Sequence, residues 1–306
     1  MKKLCVIGSF NIDVTASMQR FPKIGETVIC DTFDVLVGGG KGANQAVALG
    51  RLGADVQMAG KLGDGFYGPE YMEVLKKNNV KCGMVAIEKD MIPGSAIVAV
   101  DSNGDNILMI YPGANSKVSI EYIDDNWEEI AECDIFLLQL EIPDETNVYL
   151  VKKLKEAGKT IIFDPAPAKD IANDMFPYVD YVTPNETELE AYTGIGAKSA
   201  EDFKKAGMMI LAKGAKTVIA KAGKYGAYII AQDSFEYIPC YKVDAVDPTA
   251  AGDCFNAGFA YGLANGWDIN RSVKFAHAVA GISTTALGAQ SAMPTYEQVI
   301  NFINQI

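Results

Sequence analysis

Three segments of this chain carry residue types and spacings that suit chemistry on a polyol and a phosphate. The first is Gly8-Ser9-Phe10-Asn11-Ile12-Asp13, where Asn11 and Asp13 offer an amide and a carboxylate two residues apart. Such a pair can hold sugar hydroxyls; the same residues also cap turns. A dinucleotide-binding turn would need three glycines as G-x-G-x-x-G, and this segment has only Gly8, which disfavours Rossmann oxidoreduction. The second is Gly38-Gly39-Gly40-Lys41-Gly42-Ala43-Asn44, opening a helix. Gly42 follows Lys41 where a phosphate loop needs Ser or Thr for magnesium, so that motif fails. The glycines would still admit a ligand close to main-chain N–H groups, with Asn44 turned to hydroxyls. The third is Asp247-Pro248-Thr249-Ala250-Ala251-Gly252-Asp253, running into Cys254-Phe255-Asn256-Ala257-Gly258. Small residues entering a helix leave N–H groups free for an anion, and Asp253 can accept a proton from a hydroxyl. Alternatively, Asp253 merely occupies a first turn that favours any carboxylate.

The elements that must position these segments alternate along the chain. Buried strands are expected at Leu4–Gly8, Val56–Ala59, Ile135–Leu140, Thr160–Phe163, Tyr181–Val182 and Thr217–Ala220. Helices are expected near Ala43–Leu52, Pro69–Asn78, Glu145–Ala157, Glu186–Thr193 and Ala200–Ala212. The rhythm predicts an α/β fold with a central, mostly parallel sheet covered on both faces, and ligands beyond its carboxyl ends. Small-residue helices follow near Cys254–Ala264 and Asn270–Leu287, then a shorter one near Tyr296–Ile303. Two stretches break the rhythm: Glu26 to Val37, and the strands Ser95–Val100 and Asn106–Ile110 joined through Asn103-Gly104. They read as a small antiparallel sheet, either edge strands or a lid formed by segments of about 12–37 and 95–111. The whole, 1–306, is expected to be one domain.

Composition excludes several classes. The 27 basic and 39 acidic residues give a net charge of −12, the wrong sign for a nucleic-acid partner. A phosphate ligand is therefore expected to arrive neutralised by a metal. Cys5, Cys30, Cys82, Cys133, Cys240 and Cys254 never approach C-x-x-C spacing, which argues against zinc and for a reducing cytoplasm. The apolar run Leu4 to Ile7 is too short for a signal core, and no run is long enough to cross a membrane. The single histidine, His277, lies in RSVKFAHAVAGIS without a G-x-S-x-G turn elsewhere, which excludes a serine-hydrolase triad. It reads as a packed helix residue, with a binding contact as the alternative.

Taken together, these motifs resemble the ribokinase branch of the PfkB carbohydrate-kinase family. GGKGANQAVALGRLGADVQMAGKLG (Gly39 to Gly63) resembles that family's first glycine motif, and DPTAAGDCFNAG (Asp247 to Gly258) its second. Between them, in order, lie Gln139-Leu140-Glu141, Asp164-Pro165-Ala166-Pro167-Ala168 (similar to NPAPA) and Thr183-Pro184-Asn185-Glu186-Thr187-Glu188. The resemblance runs from about Cys5 to Pro294. It implies a ribokinase-like fold and transfer of the γ-phosphoryl of ATP to a sugar or nucleoside hydroxyl. Asp253 then matches the general base, and the N–H groups of Ala250, Ala251 and Gly252 match an anion hole. Asn11, Asp13, Gly39, Gly40, Lys41, Asn44 and Glu141 match sugar-binding positions, with Ala96 and Ile110 as apolar lid contacts. Asn185 and Glu188 match the pair near the magnesium–phosphate site. Lys221, Ala222, Gly223, Lys224, Tyr225 and Gly226 match the nucleotide loop, and His277 falls near the adenine. Asp247 and the carbonyls of Thr249, Ser283, Ala286 and Gly288 match a K⁺ site, and the free lid edge implies a homodimer.

The chain departs from the pattern at Lys221, where ribokinases carry a small or hydroxyl residue, at Pro248, where Thr is common, and at Ala292, where Ser is frequent. With Ala292, one K⁺ ligand is missing or supplied by Ser291 or water. The resemblance implies MgATP-dependent conversion of D-ribose to D-ribose 5-phosphate. The alternatives are a kinase for another furanose, a deoxysugar or a nucleoside, and a silent sugar-binding regulator.

Overall fold

A computed structural model describes residues 1–305. In chain order its strands and helices begin with β1 (Leu4–Ile7), β2 (Asn11–Ser17), β3 (Thr32–Gly39), α1 (Lys41–Arg51), β4 (Val56–Gly63), α2 (Gly68–Lys77) and β5 (Lys81–Glu88). Next come β6 (Gly94–Val100), β7 (Asn106–Tyr111), α3 (Ile120–Asp125), α4 (Trp127–Ala131), β8 (Ile135–Leu138), α5 (Asp144–Glu156) and β9 (Thr160–Phe163). The remainder is α6 (Ala172–Met175), β10 (Tyr181–Val182), α7 (Glu186–Thr193), α8 (Ala200–Ala212), β11 (Thr217–Lys221), β12 (Ala227–Ala231), β13 (Ser234–Ile238), α9 (Ala251–Ala264), α10 (Ile269–Ser283) and α11 (Tyr296–Asn304).

The main sheet has nine strands in the order β13-β12-β11-β10-β9-β8-β1-β4-β5. All its pairings are parallel except those of β12 with β11 and β13. β1 lies inside it with every residue fully buried. Its side chains alternate: Leu4 and Val6 enter the core shared with α1, α9 and α10, while Cys5 and Ile7 enter the core shared with α5, α7 and α8. That two-sided burial explains why these strands read as unbroken apolar runs. On the first face α9 and α10 approach closely because their contacts are small. A Cβ on Gly258 would lie 2.8 Å from Ala276 Cα, so only glycine fits there.

The second sheet has the order β3-β2-β6-β7. Two of its pairings are antiparallel, as expected, but β2 and β6 run parallel. The extended stretch expected from Glu26 is strand only from Thr32. Its partner β2 ends at Ser17, which pairs with Thr32, so residues before Thr32 have no ladder to join. The helix expected to reach Leu287 stops at Ser283. There Thr284 and Thr285 hydroxyls bond back to the carbonyls of Gly281 and Ile282, and Thr284 O turns to the N–H groups of Val246 and Asp247. Strands β5 and β13 carry mixed polar and apolar residues, and they and the short apolar β12 escaped the sequence pattern. Among the described residues no helix is long and apolar enough to cross a membrane.

Candidate active site

The carboxyl ends of β1, β8, β9 and β11 converge on the N-termini of α1 and α9, as an open parallel sheet requires of a ligand site. Asp253 sits in the first turn of α9 and is buried. Its Oδ2 accepts from Asn44 Nδ2 at 3.0 Å and its Oδ1 from Gln45 Nε2 at 3.1 Å. Burial pushes its carboxyl up to about 6; Asp164 adds to the rise, while Lys41 and the two amides oppose it. It is thus ionised at neutral pH yet basic enough to take a proton, the balance a general base needs.

Helix α1 begins at Lys41 behind Gly40, whose φ of 82° suits glycine. The structure narrows the expectation that this loop offers its N–H groups to a ligand, because those of Gly39, Lys41, Gly42 and Ala43 have protein acceptors. Glu141 Oε2 accepts from Lys41 N at 2.9 Å, Ser9 Oγ from Gly42 N at 3.3 Å, and Ser9 O from Ala43 N at 2.9 Å. Gly39 N donates to Tyr71 OH at 3.1 Å. The orphan donors of α1 are therefore met by Ser9 and Glu141, which follow β1 and β8, while Gly40 N has no protein acceptor among the described residues. Burial works against the Lys41 ammonium, but Asp253, Asp164, Glu141 and Glu188 together outweigh it and raise its pKa.

Asp13 lies on β2 against Gly39, in a cross-strand row with Leu36, Ala96 and Ile110. Ala96 is buried and Ile110 is exposed on the outer strand. Burial, then the charges of Glu141 and Asp253, pushes Asp13 up to about 7. Asn11 is buried, and its Oδ1 accepts from Asn115 Nδ2 at 2.9 Å. Asn44 is held in turn by Gln290, whose Nε2 donates to Asn44 Oδ1 at 3.1 Å.

At the start of α9, Ala250 takes the left-handed conformation, φ 58°. Of the three N–H groups expected to be free, Ala251 N donates to Pro248 O at 3.1 Å. This tight turn leaves the N–H groups of Ala250 and Gly252 without a protein acceptor among the described residues. A Cβ on Gly252 would lie 3.5 Å from Lys221 Nζ, which places that ammonium at the same helix end. Lys221 closes β11 and is followed by the turn Ala222–Gly226, where Ala222 N bonds Gly226 O at 2.8 Å. Gly223, Lys224 and Tyr225 form a short 3₁₀ turn, tied to β13 by Tyr237 OH and to Cys240 Sγ.

Asn185 and Glu188 form a reciprocal capping box on α7: Asn185 N donates to Glu188 Oε2 at 2.8 Å and Glu188 N to Asn185 Oδ1 at 2.9 Å. Both side chains are thereby engaged. No group of three or more His, Cys, Asp or Glu among the described residues could hold a metal, so the protein alone builds no divalent cage.

Asp247 Oδ1 accepts from Thr249 N at 2.9 Å and Oδ2 from Gly288 N at 2.8 Å. Burial alone would raise its carboxyl, but the Thr249 hydroxyl, which donates to Oδ1 at 2.6 Å, and then these two N–H groups hold it below the ordinary range. The carbonyls of Thr249, Ser283, Ala286 and Gly288 accept no protein hydrogen bond among the described residues. Ser291 Oγ donates to Leu287 O at 3.1 Å. His277 is buried on α10 with its ring 5.2 Å from that of Phe255. Burial lowers it to about 4, and its Nε2 has no partner among the described residues.

Sequence reasoning missed Gln45, Asn115, Tyr71 and Gln290 as supports of the site. Gln45 adjoins Asn44 in a quoted motif, which was the available signal; the others lie in segments with none.

Residues 1–296 match the model of the pfkB family carbohydrate kinases. The chain is 37% identical over 300 residues to a ribokinase of Bacillus subtilis, covering 98% of each chain. It is 32% identical over 302 residues to a deoxyribokinase of Salmonella typhi, again covering 98% of each. A structure of Arabidopsis thaliana ribokinase complexed with ribose and ATP superposes with a TM-score of 0.91 at 32% identity, over 99% of this chain and 98% of that one. The chain belongs to the pfkB family of carbohydrate kinases. Within it, this is an ATP-dependent sugar kinase of the ribokinase type.

Proposed function

We propose that this kinase phosphorylates D-ribose on its primary hydroxyl to give D-ribose 5-phosphate and ADP. The observation that carries this is the buried Asp253 carboxylate. It shares one polar cluster with Asn44, Asp13 and Glu141, and it opens the helix whose start leaves the N–H groups of Ala250 and Gly252 without a protein acceptor among the described residues. The relatives named ribokinase, and the Arabidopsis ribokinase holding ribose and ATP, support the choice of sugar.

In this reading Asn11, Asp13, Gly39, Gly40, Lys41, Asn44 and Glu141 hold the sugar. Ala96 and Ile110 cover it from the small sheet, which serves as a lid. Asp253 takes the proton of the attacking hydroxyl as its oxygen bonds to the γ-phosphorus and the bond from that phosphorus to the β–γ bridging oxygen breaks. The Ala250 and Gly252 N–H groups stabilise the equatorial oxygens, and Ala251 joins them if its bond to Pro248 opens. Asp253 later returns its proton to solvent.

The Ala222–Gly226 turn holds the nucleotide, with His277 near the base. Magnesium carried by ATP supplies charge neutralisation, and Asn185 and Glu188 would hold it through water. The four unclaimed carbonyls beside Asp247 fit a large, weakly hydrated K⁺, whose charge would order the 247–253 loop. The free edges of the lid would join two copies, and six free cysteines suit the cytoplasm.

The deoxyribokinase relative favours one second reading, a deoxysugar substrate. A coupled assay for ADP across ribose, deoxyribose, fructose, tagatose and adenosine decides between them. Highest kcat/KM with ribose supports the proposal, another best acceptor overturns the choice of sugar, and no turnover with any supports a silent regulator.

A further inference from the structure

The acidic cluster extends behind the residues that face substrate. Gln45 is fully buried on α1, and its single Nε2 donates to Asp253 Oδ1 at 3.1 Å and to Asp164 Oδ2 at 3.2 Å. Its Oε1 accepts from Gln139 Nε2 at 2.7 Å. Gln139 thus fixes which end of the Gln45 amide meets the two carboxylates. The other oxygen of Asp164, Oδ1, accepts from Lys221 Nζ at 3.2 Å. With side chains 13% and 4% exposed, Lys221–Asp164 is the most enclosed ion pair among the described residues. It also occupies a position where the ribokinase pattern carries a small or hydroxyl side chain in place of Lys221.

A continuous path therefore runs from the end of β11 through Lys221, Asp164 and Gln45 to Asp253. Asn44 holds one oxygen of the base and Gln45 the other, so α1 fixes the orientation of the carboxylate. Breaking any link leaves a buried charge or donor without its partner.

We infer that Gln45 and the Asp164–Lys221 pair are positioning residues, which fix the Asp253 carboxylate and tie it to the strand end that carries the nucleotide turn. The consequence for turnover rests on the kinase reading above; the geometry does not. The Gln45 amide that donates to Asp253 favours its ionised form, whereas the nearby Asp164 charge opposes it. The charged and titratable groups facing Asp253 are Lys41 from α1, Asp13 from β2, Asp164 beyond β9 and the adjoining Cys254. Glu141, Glu188 and Lys221 stand behind them in the same cluster. Removing the Gln45 amide must therefore raise the Asp253 titration, while removing the Asp164 charge must lower it.

The test is carbon-13 NMR titration of the Asp253 carboxyl in the full chain, assigned by its loss in Asp253→Asn. Wild type is compared with Gln45→Met and Asp164→Asn. The midpoint should move up in Gln45→Met and down in Asp164→Asn, each by about half a pH unit or more. Steady-state kinetics should show kcat falling on the order of 10- to 100-fold in Gln45→Met, with KM for sugar and ATP little changed. A purely structural role would lower the folded fraction without opposite titration shifts. Shifts of one sign, or none, overturn the inference. If Gln45→Met does not fold, Gln45→Glu keeps the shape and should give the same upward shift. Absence of turnover in wild type would overturn the kinase reading, and the titrations would still decide the positioning role.

Discussion

Asp253→Asn is the substitution on which the chemistry depends most directly. The substituted side chain keeps the shape but cannot take the proton of the attacking hydroxyl, so kcat should fall by ~10²–10⁴. A second effect is set by the surroundings. Asp253 titrates at about 6 in the folded chain against an ordinary 3.8. A carboxyl raised on folding destabilises the native state above its folded pKa, and this penalty vanishes below its unfolded pKa. A rise of this size corresponds to about 3 kcal/mol, lost as pH falls from about 6 to about 4. Against this, the amide introduced by Asp253→Asn would set a donor against Asn44 Nδ2 or Gln45 Nε2, a cost of about 1–3 kcal/mol at any pH. The stability of the Asp253→Asn variant relative to wild type should therefore rise by about 3 kcal/mol between about pH 4 and pH 7, whatever its starting value. Urea unfolding at several pH values measures this, and ADP release with saturating sugar measures turnover. Turnover within about tenfold of wild type would remove Asp253 as the base, and a relative stability flat across this pH range would refute the argument from burial.

Asp13→Ala should raise KM for the sugar far more than KM for ATP, because it removes a carboxylate from the sugar side alone; equal effects in the same assay would make Asp13 structural. Since Asp13 and Asp253 titrate at about 7 and about 6 in one coupled cluster, kcat/KM for the sugar should decline below about pH 7, and a profile flat down to about pH 5 would contradict this. If K⁺ occupies the Asp247 loop, initial rates should rise as K⁺ replaces Na⁺ at constant ionic strength, and Asp247→Ala should lose that response. Gly258→Val should destabilise the chain by about 1–3 kcal/mol in thermal or urea unfolding, because the new side chain meets Ala276 across the α9–α10 contact.

The sequence by itself determined most of the buried parallel strands, the longer helices and the contiguous motifs that bear chemistry. Leu4–Ile7 and Thr160–Phe163 are legible as buried strands because both their faces are covered, and α7 is legible to the residue because Asn185 and Glu188 cap it locally. The glycine motifs around Lys41 and Asp253 could be read because their signals are contiguous. What the tertiary structure decided is how these local pieces share their hydrogen bonds. Only in the fold do Ser9 and Glu141 claim the N–H groups of α1, and only there does Ala251 spend its N–H on Pro248. The parallel pairing of β2 with β6 and the start of β3 at Thr32 depend on where a partner strand lies and stops. Gln45, Asp164 and Lys221 lie far apart in the chain and meet at the strand ends beside Asp253. Capping and periodicity are properties of neighbours in sequence, whereas partners for a buried carboxylate are assigned by the packing of distant strand and helix ends.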